Sequence, residues 1–522
     1  MKNRTSTFIS NSTNQYGGDN KMNKKSYLPL VWFVLGFGIF VFTRMSKLVP
    51  TIPVAILIAP IFILRFNRTQ PVRRGNLLTL LGFILSINIG LWWLYESNAL
   101  FNVVKIFLLA VLYFLPYMVD RWIHEKFKNN GISSGLTTLS FPIVSTAIHF
   151  LSSLEGFFEG TLQTGKFVYG PVILQQLLSL FGISGFIFVS SWFASTINYM
   201  WENNFDWGKS KKTAITFVAI ALAIFVFGAI KTSSSSPEQD TVEIAAILVL
   251  PEEGDAMSMD EMWADRLVSP FEDSVSGIEE STKTAASNGA RIVSFQEFAM
   301  MINEEDEGKL REEYKRIAKE NDVYLSISYA TYAKEGKGEN KHIFIDNNGE
   351  IQLDYTKRYV SGMAEIDLGE AGYFLKGPEI IQSVDTPYGR IGVSICRDLE
   401  MPDYMRQAGR ANVDIMLSSA WENPKGLIIH SSYMRTIEHG FSLVRPTQDG
   451  ITVAVDYNGN ILDQMDSADP GDGILYADIP TQGVNTLYTQ IGDVLGWICV
   501  IGLLGLIPLS IVLRIKQKKE KA

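Results

Sequence analysis

The sequence predicts two structural classes in one chain, a multi-span α-helical membrane bundle and an α/β sandwich domain with mixed sheets. Long apolar runs occur before residue 231 and after residue 490. Between those limits, short apolar strands alternate with helices and hairpin turns, which is typical of an α/β sandwich. A chain of 522 residues also exceeds what one hydrophobic core usually holds, so at least two structural units are expected.

Seven apolar segments precede the α/β region and an eighth follows it. They lie at about 28–43, 49–66, 77–95, 99–119, 137–152, 170–198, 213–230 and 492–514. Most are close to the roughly 20 residues that a helix needs to cross a bilayer. The segment 137–152 carries Ser140, Ser145, Thr146 and His149, so it either spans the membrane or is re-entrant and packs against other helices.

Basic residues in the short loops predict the orientation in the membrane. Lysines before the first span and Lys/Arg clusters after the second, fourth, sixth and eighth spans all fall on one side, with Arg44 and Lys47 as a mild exception. Because positive loops are cytoplasmic, the sequence predicts a multi-pass plasma-membrane protein with both termini in the cytoplasm. The predicted units are a disordered cytoplasmic lead (1–26), the seven-span bundle (27–230), a Ser-rich linker (231–240), the extracytoplasmic α/β domain (241–490), the eighth span (491–514) and a basic cytoplasmic tail (515–522).

The α/β region carries the acidic excess behind the net charge of −9. Such a surface argues against nucleic acid as a partner. Short apolar runs bounded by turn residues place its elements. The predicted strands are 244–250, 291–295, 323–331, 341–346, 351–355, 389–395, 414–418, 442–445, 452–456 and 461–465, and the predicted helices are 273–288, 305–321, 403–411 and 428–439.

Three reactive side chains each follow a predicted strand: Glu297, Lys357 and Cys396. Together they would suffice for acyl transfer, because a carboxylate can take the thiol proton, the thiolate can attack a carbonyl and the ammonium can stabilise the oxyanion. Each alone is ordinary, since a strand-end Glu or Lys is usually solvated and a lone thiol after an apolar strand is more often buried than reactive. With Cys499 as the only other cysteine, Cys396 is either a core residue or a nucleophile.

In this chain order the three residues resemble the Glu-Lys-Cys triad of the carbon–nitrogen hydrolase, or nitrilase, superfamily. The likeness extends to the segments Cys396–Pro402, Asn412–Trp421, Arg435–Gly440 and Arg445–Ile451. It implies a nitrilase-like α-β-β-α sandwich in which Cys396 is the nucleophile, Glu297 the general base and Lys357 the oxyanion stabiliser. Glu365, where the superfamily places a second glutamate, would position groups or relay a proton.

The order of spans and soluble domain resembles the membrane-embedded branch of that superfamily, the apolipoprotein N-acyltransferase family. Residues 175–186 look like the sixth-span region of that branch. The resemblance implies that a membrane phospholipid donates an acyl chain to Cys396 as a thioester and that a lipoprotein or other amine accepts it. It implies no metal and no organic cofactor, and a monomer is compatible with it. The expected substrate-binding residues are Asp398, Arg397, Trp421 and Trp263.

Two segments depart from that branch near the acyl acceptor. Arg397 and Asp398 stand where the family has Tyr-Glu, and the interval from Arg358 to Ala364 lacks the usual Pro-Phe-Gly. Two alternatives therefore stay open. The first is a membrane-tethered amidase in which water resolves the thioester, and the second is an inactive scaffold that kept the fold for binding.

Overall fold

The computed structural model describes residues 27–43, 52–91, 99–154, 172–233, 240–249, 266–360, 370–422, 429–471 and 473–521. The predicted lead at 1–26, most of the predicted linker, Trp263 and Glu365 lie outside these ranges.

Apolar helices form the first part of the chain and its last element. They are α1 (Leu28–Phe40), α2 (Ala55–Thr69), α3 (Val72–Leu91), α4 (Ala99–Asn129), α5 (Ser134–Leu151), the short α6 (Val172–Gln175), α7 (Leu178–Glu202), α8 (Trp207–Ser233) and α15 (Val494–Lys521). Each predicted apolar segment overlaps at least one of them. Among the described residues, five helices are long and apolar enough to cross a membrane, namely α4, α5, α7, α8 and α15. They include α5, which covers the segment predicted to be either a span or re-entrant.

Among the described residues between these helices, fourteen strands form two mixed sheets. The first sheet has the order β14-β1-β2-β4-β5-β6, with β3 beside β4, and the second has the order β13-β12-β10-β9-β8-β7, with β11 beside β9. The strands are β1 (Thr241–Ile247), β2 (Ile292–Phe295), β3 (Met300–Asn303), β4 (Tyr324–Tyr332), β5 (Glu339–Ile345), β6 (Ile351–Thr356), β7 (Ser383–Thr386), β8 (Gly389–Ile395), β9 (Ile415–Trp421), β10 (Ser442–Arg445), β11 (Thr447–Gln448), β12 (Ile451–Val455), β13 (Ile461–Asp466) and β14 (Ile474–Pro480).

Helices cover the outer face of each sheet, which completes an α-β-β-α sandwich. The helices of this domain are α9 (Phe271–Ser287), α10 (Glu307–Glu320), α11 (Glu370–Tyr373), α12 (Pro402–Arg410), α13 (Ile429–His439) and α14 (Leu487–Ile491). α9 and α10 share a core with the first sheet, in which Ile278 and Leu310 pack with Val293. α12 and α13 share a core with the second sheet through Met405 and Ile437. The predicted fold class is confirmed.

Every strand and helix predicted in this region occurs, with ends shifted by a few residues. The central strands are buried on both faces, so their near-continuous apolar runs give a clear sequence signal. The strands that the pattern did not predict are β3, β7, β11 and β14. β14 is an edge strand that pairs with β1, so that Ile247 lies opposite Ile474. These residues are far apart in the sequence, and the local hydrophobic pattern does not predict such a pairing.

The helical bundle contacts the sandwich through the start of α7. Leu178 and Ile183 belong to the same buried cluster as the second sheet, and Gln176 Nε2 donates to the Asn458 carbonyl at 2.8 Å. Gly182 has φ 57°, and a Cβ there would lie 2.6 Å from the ring of Tyr488. Glycine is favoured at this bend, because a residue with a Cβ would be strained in the left-handed backbone conformation and would clash with the Tyr488 ring. The bend therefore seats α7 on the sandwich.

Candidate active site

Cys396 lies at the end of β8, where the strand passes into a 3₁₀ turn over Cys396–Glu400. Its φ of 47° is in the left-handed region, which is uncommon for a residue with a side chain. Such backbone strain persists only where the surrounding structure holds it, and it clusters at functional sites. The side chain is 9% exposed, and its Sγ donates to the Trp421 carbonyl at 3.6 Å. The thiol thus lies at a tight turn at the end of the strand, where it is buried against the core of the second sheet.

Glu297 and Lys357 form a buried ion pair beside this turn. Lys357 Nζ lies 2.8 Å from Glu297 Oε1, and each side chain is 2% exposed. Asn340 Nδ2 donates to the same oxygen at 2.8 Å, while the Trp421 N–H donates to Oε2 at 2.9 Å. Three donors from three segments therefore fix the carboxylate.

One residue of β9 links the ion pair to the thiol. The Trp421 N–H binds Glu297, and the Trp421 carbonyl accepts from Cys396. Three of the four predicted catalytic residues, Glu297, Lys357 and Cys396, thus meet around the main chain of Trp421, and the fourth, Glu365, lies outside the described residues. A carboxylate, an ammonium and a thiol in one partly closed site have the groups that nucleophilic acyl transfer requires.

Asp398 is fully buried below the turn, although the sequence suggested a substrate contact for it. Its Oδ2 accepts from the Tyr355 hydroxyl at 2.7 Å and the Ile395 N–H at 3.0 Å, and its Oδ1 accepts from the Tyr359 N–H at 2.7 Å. Burial raises the pKa of Asp398 to about 6, against the lowering effect of these hydrogen bonds and of Lys357. This position favours a role in holding the turn rather than in touching a substrate.

Two fully buried arginines bind the carbonyls of the turn. Arg445 Nη1 donates to the Cys396 carbonyl at 3.4 Å, and Arg435 donates to the carbonyls of Leu399 at 3.1 Å and Glu400 at 2.7 Å. Each arginine also pairs with a buried carboxylate, Arg445 with Glu422 and Arg435 with Glu438. An unpaired buried charge costs free energy. The two carboxylates offset this cost, so that the buried guanidinium groups can donate hydrogen bonds to the carbonyls of the turn.

The other predicted substrate-binding residues that the structure describes are Arg397 and Trp421. The Trp421 indole Nε1 donates to Asp449 Oδ2 at 2.7 Å, and its ring packs edge-to-face with Phe298 at a centroid distance of 6.1 Å. Arg397 is half-buried and directly follows the nucleophile. Within the described residues its guanidinium makes no hydrogen bond and no ion pair.

His342 ties the two sheets together behind the site. Its Nδ1 lies 3.3 Å from the Ser394 carbonyl and its Nε2 lies 2.6 Å from Ser326 Oγ. A carbonyl only accepts, so Nδ1 carries the proton and Nε2 accepts from the serine in the neutral ring. Full burial lowers the pKa of His342 to about 4.

Sequence reasoning missed Asn340, His342 and Tyr355, which support the site without being its reactive groups. A signal for them exists. Asn340 and His342 are polar residues at alternating positions of β5, and both are fully buried. Polar side chains on the inward face of a buried strand need partners, and here those partners are the base and the nucleophile strand.

No group of three or more His, Cys, Asp or Glu side chains able to hold a metal occurs in the described ranges. Among the described residues, the site contains the Cys396 thiol, the Glu297–Lys357 ion pair, the Asn340 amide and the main chain of Trp421.

The chain resembles known proteins over the α/β region. Residues 267–488 match the carbon-nitrogen hydrolase family. A deaminated glutathione amidase from Dictyostelium discoideum is 27% identical over 123 residues, covering 22% of this chain and 41% of that protein. An apolipoprotein N-acyltransferase from Geobacter metallireducens is 23% identical over 252 residues, covering 42% of this chain and 46% of that protein. The chain thus spans less than half the length of either relative.

A crystal structure of an amidase from Nesterenkonia sp. covers 50% of this chain and 96% of that one, with 17% identity and a TM-score of 0.40.

Proposed function

We propose that this chain, whose residues 267–488 form a carbon-nitrogen hydrolase domain, is a membrane N-acyltransferase. It would move a fatty acyl group from a phospholipid, through a thioester on Cys396, to an amine. The proposed amine is the N-terminal diacylglyceryl-cysteine of a lipoprotein. The observation that carries the proposal is the meeting of Cys396 with the Glu297–Lys357 pair at the main chain of Trp421.

In the first half-reaction Glu297 takes the thiol proton and Sγ attacks the ester carbonyl of the phospholipid. A C–S bond forms, and Lys357 stabilises the oxyanion of the tetrahedral intermediate. The ester C–O bond then breaks, and Glu297 returns the proton to the leaving alkoxide. The products are the acyl thioester on Cys396 and a lysophospholipid.

In the second half-reaction the acceptor amine attacks the thioester carbonyl. An N–C bond forms, the C–S bond breaks, and the amine proton passes through Glu297 to the thiolate. Release of the amide product regenerates the free thiol of Cys396. Glu365 is proposed to assist positioning or proton relay, and Trp263 and Trp421 are proposed to contact substrate.

The membrane helices support a lipid substrate. Five described helices are long and apolar enough to cross a bilayer, and α7 packs directly against the catalytic domain. A site attached to such a bundle meets lipid-anchored donor and acceptor at one surface, which removes much of the entropic cost of bringing them together. The named relative from Geobacter metallireducens supports the same class of reaction.

The charged loops support an extracytoplasmic location for the domain and cytoplasmic termini. Protease added to intact cells should then cleave within 231–490. Full protection of that region, with cleavage only after lysis, would reverse the orientation.

The decisive experiment supplies purified protein with phospholipid and a diacylated lipopeptide. Intact-mass measurement should show an acyl adduct on wild-type protein, and the lipopeptide should become triacylated. Cys396→Ala should lose both. Cys499→Ala is the matched control, because it removes the other cysteine, which lies in α15, and should retain both products.

A membrane-tethered amidase is the second candidate, because water could resolve the same thioester and the Dictyostelium discoideum relative is an amidase. Release of free fatty acid with no triacylated lipopeptide would favour it over the acyltransferase. The absence of any adduct on wild-type protein would favour the inactive scaffold.

A further inference from the structure

Three residues with strained backbone conformations meet at Trp421. Among the described residues, eight residues other than glycine have a positive φ, and three of them, Phe298, Cys396 and Asp449, contact Trp421. Their φ values are 56°, 47° and 55°. The left-handed region is unfavourable for residues with a side chain, and such strain persists only where the surrounding structure holds it. Its concentration around one tryptophan indicates that the fold holds Trp421 in a defined position.

Asp449 binds the indole nitrogen of Trp421. It lies in the turn between β11 and β12, and its Oδ2 accepts from Trp421 Nε1 at 2.7 Å. The strand before this turn pairs with the strand of Trp421, because Gln448 lies opposite Trp421 and its carbonyl accepts from the Glu422 N–H at 2.9 Å. A main-chain bond and a side-chain bond therefore attach the turn to the same point of β9.

Phe298 packs against the same indole. It directly follows Glu297 in the turn between β2 and β3, and its side chain is 7% exposed. Its ring contacts the Trp421 ring edge-to-face at a centroid distance of 6.1 Å and stacks on Phe374 at 5.9 Å. The segment that carries the base is thus packed on the residue whose main chain binds the base.

These contacts fix the two main-chain groups of Trp421 that reach the reactive side chains. The Trp421 N–H donates to Glu297 Oε2 at 2.9 Å, and its carbonyl accepts from Cys396 Sγ at 3.6 Å. A shift of Trp421 would therefore disturb the base and the thiol together. A displacement of about 1 Å at a reacting group can slow a reaction by about a hundredfold.

We propose that Asp449 is a positioning residue, which fixes Trp421 and thereby the alignment of Glu297 with Cys396. This inference rests on the proposed function, in which Cys396 is the nucleophile and Glu297 the base. Asp449 acts through the indole and does not touch the substrate. Its hydrogen bond is charge-assisted, which makes it a stronger anchor than the ring contact with Phe298.

The test measures the maximal rate of adduct formation on Cys396 with phospholipid, and the donor concentration that gives half of that rate. Asp449→Ala and Asp449→Gly both remove the acceptor of the indole bond, and glycine also relieves the backbone strain. Both should lower the maximal rate by about tenfold and leave the half-maximal donor concentration unchanged. Asp449→Asn keeps an acceptor oxygen and tolerates the left-handed backbone, so it should react at close to the wild-type rate.

Asp322→Ala is the matched control. Asp322 also has a positive φ, of 53°, and its Oδ1 accepts from Asn347 Nδ2 at 2.8 Å, but it is exposed and lies outside the site. Its loss should leave both kinetic values unchanged. Trp421→Phe removes the donor of the indole bond, so adding Asp449→Ala to it should cause no further loss of maximal rate. A further tenfold loss in that double variant would show that Asp449 does not act through Trp421.

The outcomes separate this inference from the function on which it rests. If wild-type protein forms the adduct and Asp449→Ala has the same maximal rate, the positioning role is overturned while the acyltransferase stands. Full activity of Asp449→Gly, or a failure of Asp449→Asn to restore the rate, would also overturn it. A higher half-maximal donor concentration at an unchanged maximal rate would assign Asp449 to substrate binding instead.

Alkylation by iodoacetamide gives a second measurement that needs no acyl donor. In a Cys499→Ala background Cys396 is the only cysteine, and its alkylation rate reports how readily the thiol loses its proton to Glu297. Asp449→Ala should slow alkylation and Asp449→Asn should not. That pattern in a protein that forms no adduct with phospholipid would overturn the proposed donor and retain the role of Asp449. Equal alkylation rates in the two variants would overturn the positioning role.

Discussion

Two buried ion pairs, one in the α/β domain and one in the helical bundle, have almost the same geometry. Lys357 lies 2.8 Å from Glu297, and Arg68 lies 2.9 Å from Asp120, with no side chain of the four more than 4% exposed. Burial and distance therefore do not distinguish them. Their surroundings do.

In the described part of the bundle, the groups that bind Asp120 all hold helices together. Arg68 reaches both of its oxygens, and Ser140 Oγ donates to Oδ1 at 3.0 Å. Arg68 continues to Glu202 at 3.5 Å, which joins α2, α4, α5 and α7. In the domain, Glu297 is instead connected to a thiol through the main-chain N–H and carbonyl of a single residue, Trp421. A buried pair becomes a candidate for catalysis when a nucleophile adjoins it, and otherwise it is a structural connection.

Glu297→Gln should have the largest effect on reaction rate. The amide keeps the shape of the side chain but cannot take the thiol proton, so formation of the Cys396 adduct should fall by about a hundredfold to ten-thousandfold. Intact-mass kinetics with phospholipid checks this. The control is Glu305→Gln, an exposed carboxylate outside the site, and equal rates in both variants would contradict the role of Glu297.

Asp120→Asn should have the largest effect on stability. Removing the carboxylate charge leaves buried Arg68 with only its longer contact to Glu202, and breaking such a buried pair should cost about 3–5 kcal/mol. Thermal unfolding in detergent measures the loss. Asp206→Asn breaks the exposed Lys209–Asp206 pair, whose nitrogen–oxygen distance is 3.8 Å, and should cost less than about 1 kcal/mol. Similar melting temperatures for the two variants would remove the distinction drawn between buried and surface pairs.

His342 should make stability depend on pH. Its folded pKa of about 4 lies below the ordinary value of 6.5, so the unfolded chain binds its proton first and stability falls between pH 6.5 and 4, by up to about 3 kcal/mol. Asp398 acts in the opposite direction. Its folded pKa of about 6 exceeds the ordinary 3.8, so its contribution is full below pH 3.8 and is lost as the pH rises through 6.

The difference between wild type and His342→Gln isolates the histidine. Melting temperatures recorded from pH 7.5 to 4 should fall more steeply in wild type than in the variant. Parallel curves would show that His342 is not the titrating group. This experiment extends the comparison from buried charges to a side chain that the fold keeps neutral.

Asn340→Ala should have the smallest effect of the four. Asn340 donates one hydrogen bond to Glu297, and Lys357 and Trp421 each donate another, so adduct formation should slow by about tenfold. Asn348→Ala in the exposed hairpin turn is the control and should react at the wild-type rate. A loss as large as that of Glu297→Gln would mean that Asn340 itself contacts the substrate.

The sequence by itself determined the two structural classes, the order of the buried strands and the three residues at their ends. These features are local. Apolar length and strand periodicity report on the burial of a segment, and a reactive side chain after a strand is visible without knowing what faces it. The resemblance to nitrilases added their grouping because it concerns several such strand ends in a fixed order.

Only the tertiary structure decided which groups surround them. Trp421 contributes its main chain to the site, Asp398 turns inward beneath the nucleophile, and His342 joins the two sheets behind it. None of these contacts produces a periodic pattern in the sequence, because each depends on how separate strands and helices pack. The candidate reactive groups could therefore be proposed from the sequence, whereas their hydrogen-bond partners required the fold.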